Sequence, residues 1–177
     1  MRAVFLDRDG VVNRAFVIES KPIPPRSVDE LIINEGVIEA VREIKEAGMI
    51  PVVVTNQPDV SRGLVDPVGV KKIHERIQVL TGLEHFYICE HDDQDDCCCR
   101  KPRPGLLIRA SEELGIDLKS SFIVGDRWRD IQAGRDAGCK AYFIDYSYNE
   151  KRPEPPYFKV GSLLEAVKHL LANERQR

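Results

Sequence analysis

The sequence predicts an α/β fold in which helices cover both faces of a sheet, and two observations predict it. Short and wholly apolar runs recur along the chain, as in strands that are buried on both faces. Segments with the apolar spacing of a helix lie between these runs, so that strand and helix alternate five times. Parallel neighbours need a crossover, normally a right-handed helix, and this order therefore favours a mainly parallel five-stranded sheet.

Each element follows from its local pattern. The apolar runs predict strands at residues 3–6, 50–54, 86–89, 122–124 and 141–144. Helical spacing predicts helices containing residues 37–44, 70–80, 106–114, about 129–137 and 163–171. Asp66 is an N-cap candidate before a proline, and Ser162 with Glu165 forms a capping-box pattern. Two proline-rich segments, residues 21–25 and 153–156, are predicted to be exposed loops.

The composition is that of an ordinary globular protein and excludes several classes. The 177 residues include 26 Lys and Arg and 29 Asp and Glu, and the formal net charge of −3 argues against a nucleic-acid partner. No stretch approaches the ~20 apolar residues of a membrane span, and the N-terminus lacks the pattern of a signal peptide. We therefore expect one domain over residues 1–177, located in the cytoplasm and without a membrane partner; the sequence leaves the oligomeric state open.

Polar residues stand at the carboxyl ends of the predicted strands, where ligands bind in such sheets. The chemically active ones are Asp7, Asp9, Thr55, Lys101 and Asp126. Asp7 and Asp9 lie two apart in extended chain and can project to the same side, while Gly10 allows a sharp turn. Their mutual repulsion indicates a hard cation such as Mg²⁺, with Asp126 as a third oxygen ligand. The cation and Lys101 would attract a phosphate, whose other oxygens Thr55 can bind.

This combination favours phosphoryl transfer. Asp7 is the candidate nucleophile and would form an aspartyl-phosphate intermediate. Asp9 would protonate the leaving oxygen and later activate the hydrolytic water. Asp130 has two interpretations of equal weight, a turn or helix-capping residue and a contact to a metal ligand.

Four segments resemble, in order and across most of the chain, the four motifs of the haloacid-dehalogenase superfamily. They are Asp7-Arg8-Asp9-Gly10-Val11, Thr55 after an aliphatic strand, Lys101, and Gly125-Asp126 with Asp130. Within that superfamily, residues 55–57 and 99–105 resemble the heptose bisphosphate and histidinol phosphatases.

The resemblance implies a Rossmann-like three-layer sandwich with the first strand central. It also implies Asp7 as nucleophile, Asp9 as acid and base, and Mg²⁺ on Asp7, the Asp9 carbonyl and Asp126. Substrate contacts are implied for Arg100 and Arg127, and we expect further ones from Asn56 and Gln57.

The segment from Cys89 to Cys99 has no aliphatic or aromatic side chain after its first residue and cannot order itself by apolar burial. A tetrahedral Zn²⁺ can supply that order, and four residues are its predicted ligands, namely Cys89, His91, Cys97 and Cys99. Alternation would point Cys98 away. The alternative is a flexible acidic loop with incidental cysteines. The superfamily resemblance also places a zinc loop here, directly before Lys101, and its aspartates are expected to form a solvated acidic surface.

The gaps between the motifs leave no room for a cap domain, so we expect an open site that takes a small phosphorylated metabolite. The leading substrate is a sugar such as D-glycero-D-manno-heptose 1,7-bisphosphate, which would make the protein a phosphatase of carbohydrate metabolism. Pro58-Asp59 stands where the heptose pattern has Ser-Gly. The alternatives are a histidinol-phosphate phosphatase and a noncatalytic phospho-acceptor module that resembles response-regulator receivers.

Overall fold

The computed structural model describes residues 1–174 and is built on a six-stranded sheet whose neighbouring strands are all parallel. The strands of the chain are β1 (Arg2–Leu6), β2 (Phe16–Ile18), β3 (Lys21–Ile23), β4 (Met49–Asn56), β5 (His85–Cys89), β6 (Phe122–Gly125), β7 (Lys140–Ile144) and β8 (Phe158–Val160). The order across the sheet is β5-β4-β1-β6-β7-β8, while β2 and β3 form a separate antiparallel hairpin. The first strand is therefore central, and the predicted Rossmann-like α/β class is confirmed.

The prediction of five strands is corrected by β8, which extends the sheet beyond β7. Its register pairs Tyr142 with Phe158 and Ile144 with Val160. β8 has only three residues, and Val160 alone among them is buried. An edge strand covered on so little of its surface needs no continuous apolar run, and its sequence therefore carries no strand signal.

Within residues 1–174, five α-helices cover the sheet; four lie between strands and the fifth follows β8. They are α1 (Val37–Glu46), α2 (Pro67–Thr81), α3 (Gly105–Leu114), α4 (Trp128–Ala137) and α5 (Leu163–Glu174). The predicted N-cap of α2 is confirmed, because the Asp66 carboxylate accepts a hydrogen bond from the Val68 amide at 2.7 Å. Ser162 likewise accepts from the Glu165 amide at 3.1 Å, but the Glu165 carboxylate accepts from the Gly161 amide instead of completing the box.

The two faces of β1 explain why its sequence is a continuous apolar run. Val4 and Leu6 belong to the core cluster under α1, α2 and α5, whereas Ala3 and Phe5 belong to the cluster under α3 and α4. All four side chains are fully buried. Burial of one Val, Leu or Phe side chain stabilises the fold by about 1.5–3 kcal/mol, so both helical layers hold the central strand in place.

The hairpin of β2 and β3, called the flap here, shows that residues 21–23 of the segment predicted to be an exposed loop form a strand. Its turn residues, Glu19 and Ser20, have positive φ angles of 49° and 61°. The Ser20 carbonyl accepts a hydrogen bond from the Asn149 amide at 3.0 Å, which ties the flap to the segment after β7. Within residues 11–36 the other regular element is a short 3₁₀ turn at Val28–Glu30, in keeping with the predicted lack of a cap.

Among residues 1–174, none of the helices combines the length and the apolarity needed to cross a membrane.

Candidate active site

A cleft of about 550 Å³ opens at the carboxyl edge of the sheet, between the flap and the loops after β4, β5 and β6. Predicted site residues that line it are Asp7, Asp9, Asn56, Arg100, Lys101 and Arg127. The parallel sheet brings these residues together from four separate segments, as the strand-end rule predicts.

Lys101 connects the first and last motifs through a buried ammonium group. Its Nζ donates to Asp7 Oδ1 at 2.8 Å, to Asp130 Oδ1 at 2.6 Å and to the Val54 carbonyl at 2.7 Å. Burial acts to lower the pKa of Lys101, but the carboxylates of Asp130 and Asp7 outweigh it and hold that pKa above its usual value. The lysine therefore stays charged, with all three of its donors used.

The helix-capping interpretation of Asp130 is confirmed, whereas its contact to a metal ligand stays a prediction. One carboxylate oxygen accepts from Lys101, and the other accepts from the Arg127 amide at 3.0 Å, at the N-terminus of α4. The residue is therefore a helix cap that also holds the lysine bonded to Asp7.

Three carboxylates crowd the space around Asp7. Asp7, Asp126 and Asp130 each offer an oxygen, and these oxygens lie within 4.8 Å of one another. Burial, followed by repulsion from Asp130, raises the pKa of Asp7 to about 6. Burial and the charge of Asp7 likewise raise the pKa of Asp126 well above its usual range. One lysine cannot neutralise three carboxylates, and the cluster therefore favours a further cation.

Two details of Asp126 fit a divalent metal ion. Its Oδ1 is buried and has no hydrogen-bond partner within residues 1–174. Gly10, at φ +92°, lies so close that a Cβ there would stand 1.9 Å from Asp126 Oδ2, so only glycine fits beside this carboxylate. Hard carboxylate oxygens in this number match the preference of Mg²⁺.

The Asp9 side chain lies outside this carboxylate cluster, which differs from the sequence argument that paired it with Asp7 around the cation. Asp9 Oδ1 accepts from Asn13 at 2.9 Å and from Arg8 Nε at 3.0 Å, and Oδ2 accepts from Gln57 at 2.7 Å. These three donors fix the position of the Asp9 carboxylate, which lines the same cleft as Asp7. Its carbonyl remains the Asp9 atom that the resemblance implies for Mg²⁺.

Arg8 and His74 are buried residues to which the sequence assigned no role in the site. Arg8 is fully buried, and its guanidinium donates to His74 Nε2 at 3.0 Å and to Gln57 Oε1 at 2.9 Å. Burial, reinforced by the charge of Arg8, lowers the pKa of His74 to about 3. The imidazole is consequently neutral, and its Nε2 accepts a hydrogen bond from the arginine. Nothing local predicts this pair, because α2 brings His74 to the site from 66 positions along the chain.

The Thr55-Asn56-Gln57 triplet has its polar groups within hydrogen-bond distance of other site residues. Gln57 Nε2 donates to Thr55 Oγ1 at 2.8 Å as well as to Asp9. The Asn56 side chain makes two hydrogen bonds with the backbone of Lys101, at 3.0 and 3.1 Å. Substrate contact was expected of both amides, but Gln57 is only 3% exposed and lies beneath the cleft floor. This geometry suits residues that orient Asp9 and Lys101.

The two arginines expected to contact substrate both line the cleft, and each donates to a different acidic residue. Arg100 donates to Asp93 at 2.8 Å, while Arg127 Nε donates to Glu150 at 2.9 Å. Arg129 also lines the cleft and donates to Asp93 at 3.2 Å. Ion pairs therefore hold these guanidinium groups at the rim.

The segment after β7 supplies site residues that the sequence analysis missed. Tyr148 donates its hydroxyl proton to Asp126 Oδ2 at 2.9 Å, and Tyr146 donates to the Gly10 carbonyl at 2.9 Å. Burial and the neighbouring Asp126 raise the pKa of Tyr148, so its hydroxyl remains a donor. The strand-end rule, applied to β7 as to the other strands, would have indicated both tyrosines.

The four predicted zinc ligands form a second cluster beside the cleft. Sγ of Cys89 lies 3.0 Å from Sγ of Cys99 and 3.6 Å from Sγ of Cys97. His91 Nδ1 lies 3.4 Å from Cys99 Sγ. Tetrahedral zinc with Zn–S bonds of about 2.3 Å separates its sulfurs by about 3.8 Å, so this Cys₃His set could bind zinc with little movement. Cys98 is exposed and outside the cluster, as alternation predicts.

Three of the four aspartates of the cysteine loop form ion pairs, and residues 93–96 remain exposed, so the acidic surface is solvated as expected and is also partly neutralised by arginines. The pairs join Asp92 to Arg62, Asp93 to Arg100 and Arg129, and Asp96 to Arg103. Hydrogen bonds from Arg62 are the main cause that lowers the pKa of Asp92 to about 2. Arg62 and Arg129 are distant from the loop in sequence, and Arg100 and Arg103 are oriented by the fold of the loop, so composition alone could not reveal these ion pairs.

Comparisons with known proteins place this chain in a class. A model of the family described as haloacid dehalogenase-like hydrolase matches residues 24–138. Two relatives are of similar length to this chain. One is 33% identical over 159 residues, which cover 85% of this chain and 84% of the relative. The other is 37% identical over 145 residues, which cover 74% of this chain and 73% of the relative. The chain belongs to the haloacid dehalogenase-like hydrolases, and it is a phosphatase.

Those two relatives are the D-glycero-beta-D-manno-heptose-1,7-bisphosphate 7-phosphatases of Bordetella bronchiseptica and Photorhabdus laumondii. A crystal structure of D,D-heptose 1,7-bisphosphate phosphatase from B. bronchiseptica, complexed with magnesium and phosphate, superposes with a TM-score of 0.84 at 29% identity. The superposition covers 98% of this chain and 99% of the chain in that crystal structure. Phosphatases of this family use Mg²⁺, and the structural likeness extends over nearly the whole fold described above.

Proposed function

We propose that this phosphatase hydrolyses a small sugar phosphate, of which D-glycero-D-manno-heptose 1,7-bisphosphate is the leading candidate, in a Mg²⁺-dependent reaction that phosphorylates Asp7. One observation carries the proposal. Asp7 lies in the cleft floor with one oxygen bonded to a charged, buried Lys101 and with Asp126 and Asp130 close by. This arrangement suits a carboxylate nucleophile that must meet an anionic phosphate.

Asp7, Asp126 and the Asp9 carbonyl would hold the Mg²⁺ ion. The bound ion would offset the charges of the carboxylates and of the phosphate oxygens, so that the two anions can approach. Asp130 is proposed to hold Lys101, with which it shares the 2.6 Å hydrogen bond. Lys101 would add a second positive charge on the phosphate, and Thr55 a hydroxyl.

In the first step, an Asp7 carboxylate oxygen attacks phosphorus and the bond from phosphorus to the sugar oxygen breaks. The leaving oxygen takes a proton from the Asp9 carboxyl group, which lies in the same cleft. Lys101 holds the other Asp7 oxygen and so orients the attacking one. The products are the dephosphorylated sugar and phosphorylated Asp7, with the Asp9 proton now on the sugar hydroxyl.

In the second step, the Asp9 carboxylate takes a proton from water, and the resulting hydroxide attacks phosphorus. The acyl phosphate bond breaks and returns its electron pair to Asp7. Inorganic phosphate leaves, and both carboxyl groups return to their starting states. The Asp9 side chain is oriented for this work by Gln57, Asn13 and Arg8.

The cleft lining offers cationic groups to a second anion of the substrate. Besides Lys101, its cationic residues are Lys21, Arg26, Arg62, Arg100, Arg127 and Arg129. Five of them form ion pairs with acidic side chains, whereas Lys21 has no ion pair within residues 1–174, so a second phosphate would bind Lys21 or replace one of these carboxylates. The bisphosphate named in the relatives has this chemistry.

We further propose that Cys89, His91, Cys97 and Cys99 hold a structural Zn²⁺. Four protein ligands leave no open position for substrate or reactive water. The loop they close leads directly into Arg100 and Lys101, so the ion would fix both residues at the cleft.

The test is phosphate release from a panel of metabolites, with and without Mg²⁺. The panel contains the heptose bisphosphate, sugar monophosphates and histidinol phosphate. The matched control is the Asp7→Asn variant, which keeps the size of the side chain but removes the anionic nucleophile. We expect Mg²⁺-dependent release, greatest for the bisphosphate, and no turnover by the variant, which should melt normally. Preference for histidinol phosphate would overturn the substrate class. A long-lived phosphoprotein without turnover would favour a receiver-like module.

A further inference from the structure

Tyr148 belongs to a segment after β7 that has no part in the mechanism proposed above. Its side chain is largely buried, and its hydroxyl points into the carboxylate cluster, where it donates to Asp126 Oδ2 at 2.9 Å. The tyrosine ring packs against that of Tyr146, with the ring centroids 5.6 Å apart. Both rings are therefore fixed features of the wall beside Asp126.

The two oxygens of Asp126 have unequal surroundings. Oδ2 is occupied by the Tyr148 hydroxyl, whereas Oδ1 is buried and lacks a hydrogen-bond partner among residues 1–174. A buried carboxylate oxygen without a donor is costly, unless a cation compensates it. The hydroxyl thus distinguishes the two oxygens and leaves Oδ1 as the one available to a metal ion.

Few other contacts fix the orientation of this carboxylate. Within the described chain, Tyr148 provides the hydrogen bond to the Asp126 side chain, and Gly10 lies against the same oxygen without offering a donor to it. The phenol and the Gly10 backbone therefore both restrain the carboxylate at Oδ2. Loss of the phenol hydroxyl would release one of these two restraints.

We propose that Tyr148 is a positioning residue that presents Asp126 Oδ1 to the catalytic Mg²⁺. The inference rests on the Mg²⁺ site of the proposed function and assigns to the loop between β7 and β8 a part in building it. Partners of metal ligands typically change metal affinity by 10–100-fold when they are removed. Tyr148 acts through Asp126 and touches neither substrate nor reacting atoms in this scheme.

The test is calorimetric titration of Mg²⁺ into the full-length wild-type protein and the Tyr148→Phe variant, which keeps the ring. We expect a dissociation constant about tenfold higher in the variant and a kcat that recovers at saturating Mg²⁺. Without metal, the variant should melt at a lower temperature, because Asp126 Oδ2 then also lacks a donor. Tyr157→Phe is the matched control, because Tyr157 packs on Phe143 and its hydroxyl makes no hydrogen bond within residues 1–174. It should bind Mg²⁺ like the wild type.

Two results would overturn the inference. Equal Mg²⁺ affinity of wild type and Tyr148→Phe would show that the phenol does not position the ligand, while the proposed function stood. Wild-type protein that binds no Mg²⁺ at all would remove the metal site itself, and the proposed function would fail with it.

Discussion

Arg8 is a buried side chain that connects several residues of the candidate active site by hydrogen bonds. It stands between Asp7 and Asp9, is fully buried, and bonds to Asp9, Gln57 and His74. A buried guanidinium needs its donors satisfied, and a neutral histidine is a suitable acceptor. The arginine therefore links the motif after β1 to α2 and to the residues after β4.

His74 makes the stability of the fold depend on pH. Its pKa falls from the usual 6.5 to about 3 in the folded protein, so the unfolded chain binds the extra proton as pH drops below 6.5. The contribution of neutral His74 to the free energy of unfolding is fully present above pH 6.5. It is lost as the pH falls towards 3, and the free energy of unfolding then decreases by up to about 1.4 kcal/mol per pH unit. In the His74→Gln variant, which keeps an acceptor for Arg8, we expect a flatter decline of unfolding free energy between pH 6.5 and 4.5. Urea denaturation of both proteins measures it, and parallel declines would contradict the assignment.

The residue scale also shows what local pattern could not supply. Asp7, Thr55, Lys101 and Asp126 were predicted because each follows a buried strand, and the structure brings them to one edge. The Arg8–His74 and Tyr148–Asp126 hydrogen bonds join residues 66 and 22 positions apart. Such pairs depend on the packing of whole elements, which a sequence pattern does not specify.

At the scale of elements, some strands are evident from the apolar pattern of the sequence, whereas others form through contacts with neighbouring segments of the chain. Four strands, β1, β4, β6 and β7, are buried on both faces, while the edge strand β5 is buried on one face and half-buried on the other. All five contain an unbroken apolar run. β3 and β8 are short and carry no such run, whereas residues 15–18, which include β2, form an apolar run of four residues that the sequence analysis did not assign to a strand. The flap becomes ordered through pairing of its own strands and through the contact of Ser20 with Asn149.

The cysteine loop is the element whose order depends most on a ligand. Cys99→Ser removes one of the four proposed zinc ligands, whereas Cys98→Ser changes an exposed neighbour outside the cluster. We expect Cys99→Ser to lose its zinc in elemental analysis, to melt about 5–15 °C lower, and to lose activity because Arg100 and Lys101 are no longer held. Cys98→Ser should retain zinc and the wild-type melting temperature. A zinc-free protein with full activity and normal melting would contradict the structural role.

At the scale of the whole molecule, the parallel sheet accounts for the position of the site. Every strand of the six-stranded sheet ends at the same edge, so motifs from distant parts of the sequence meet there without a dedicated domain. The fold class was accessible from sequence because alternating elements constrain topology strongly. That one domain spans residues 1–177 stays a prediction, as does the oligomeric state that the sequence left open.

The central claim is that Asp7 carries the phosphoryl group between substrate and water. Acetyl phosphate needs little protonation of its leaving group, so the Asp9→Asn variant should still complete the first step with it and should then lack the base for the second. The most direct measurement is acid quenching of this variant after mixing with acetyl phosphate and Mg²⁺, followed by peptide mass spectrometry. The account predicts a phosphoryl group on Asp7 that accumulates above the wild-type level. Phosphate release by the variant without phosphorylated Asp7, or a phosphoryl group on another residue, would contradict it.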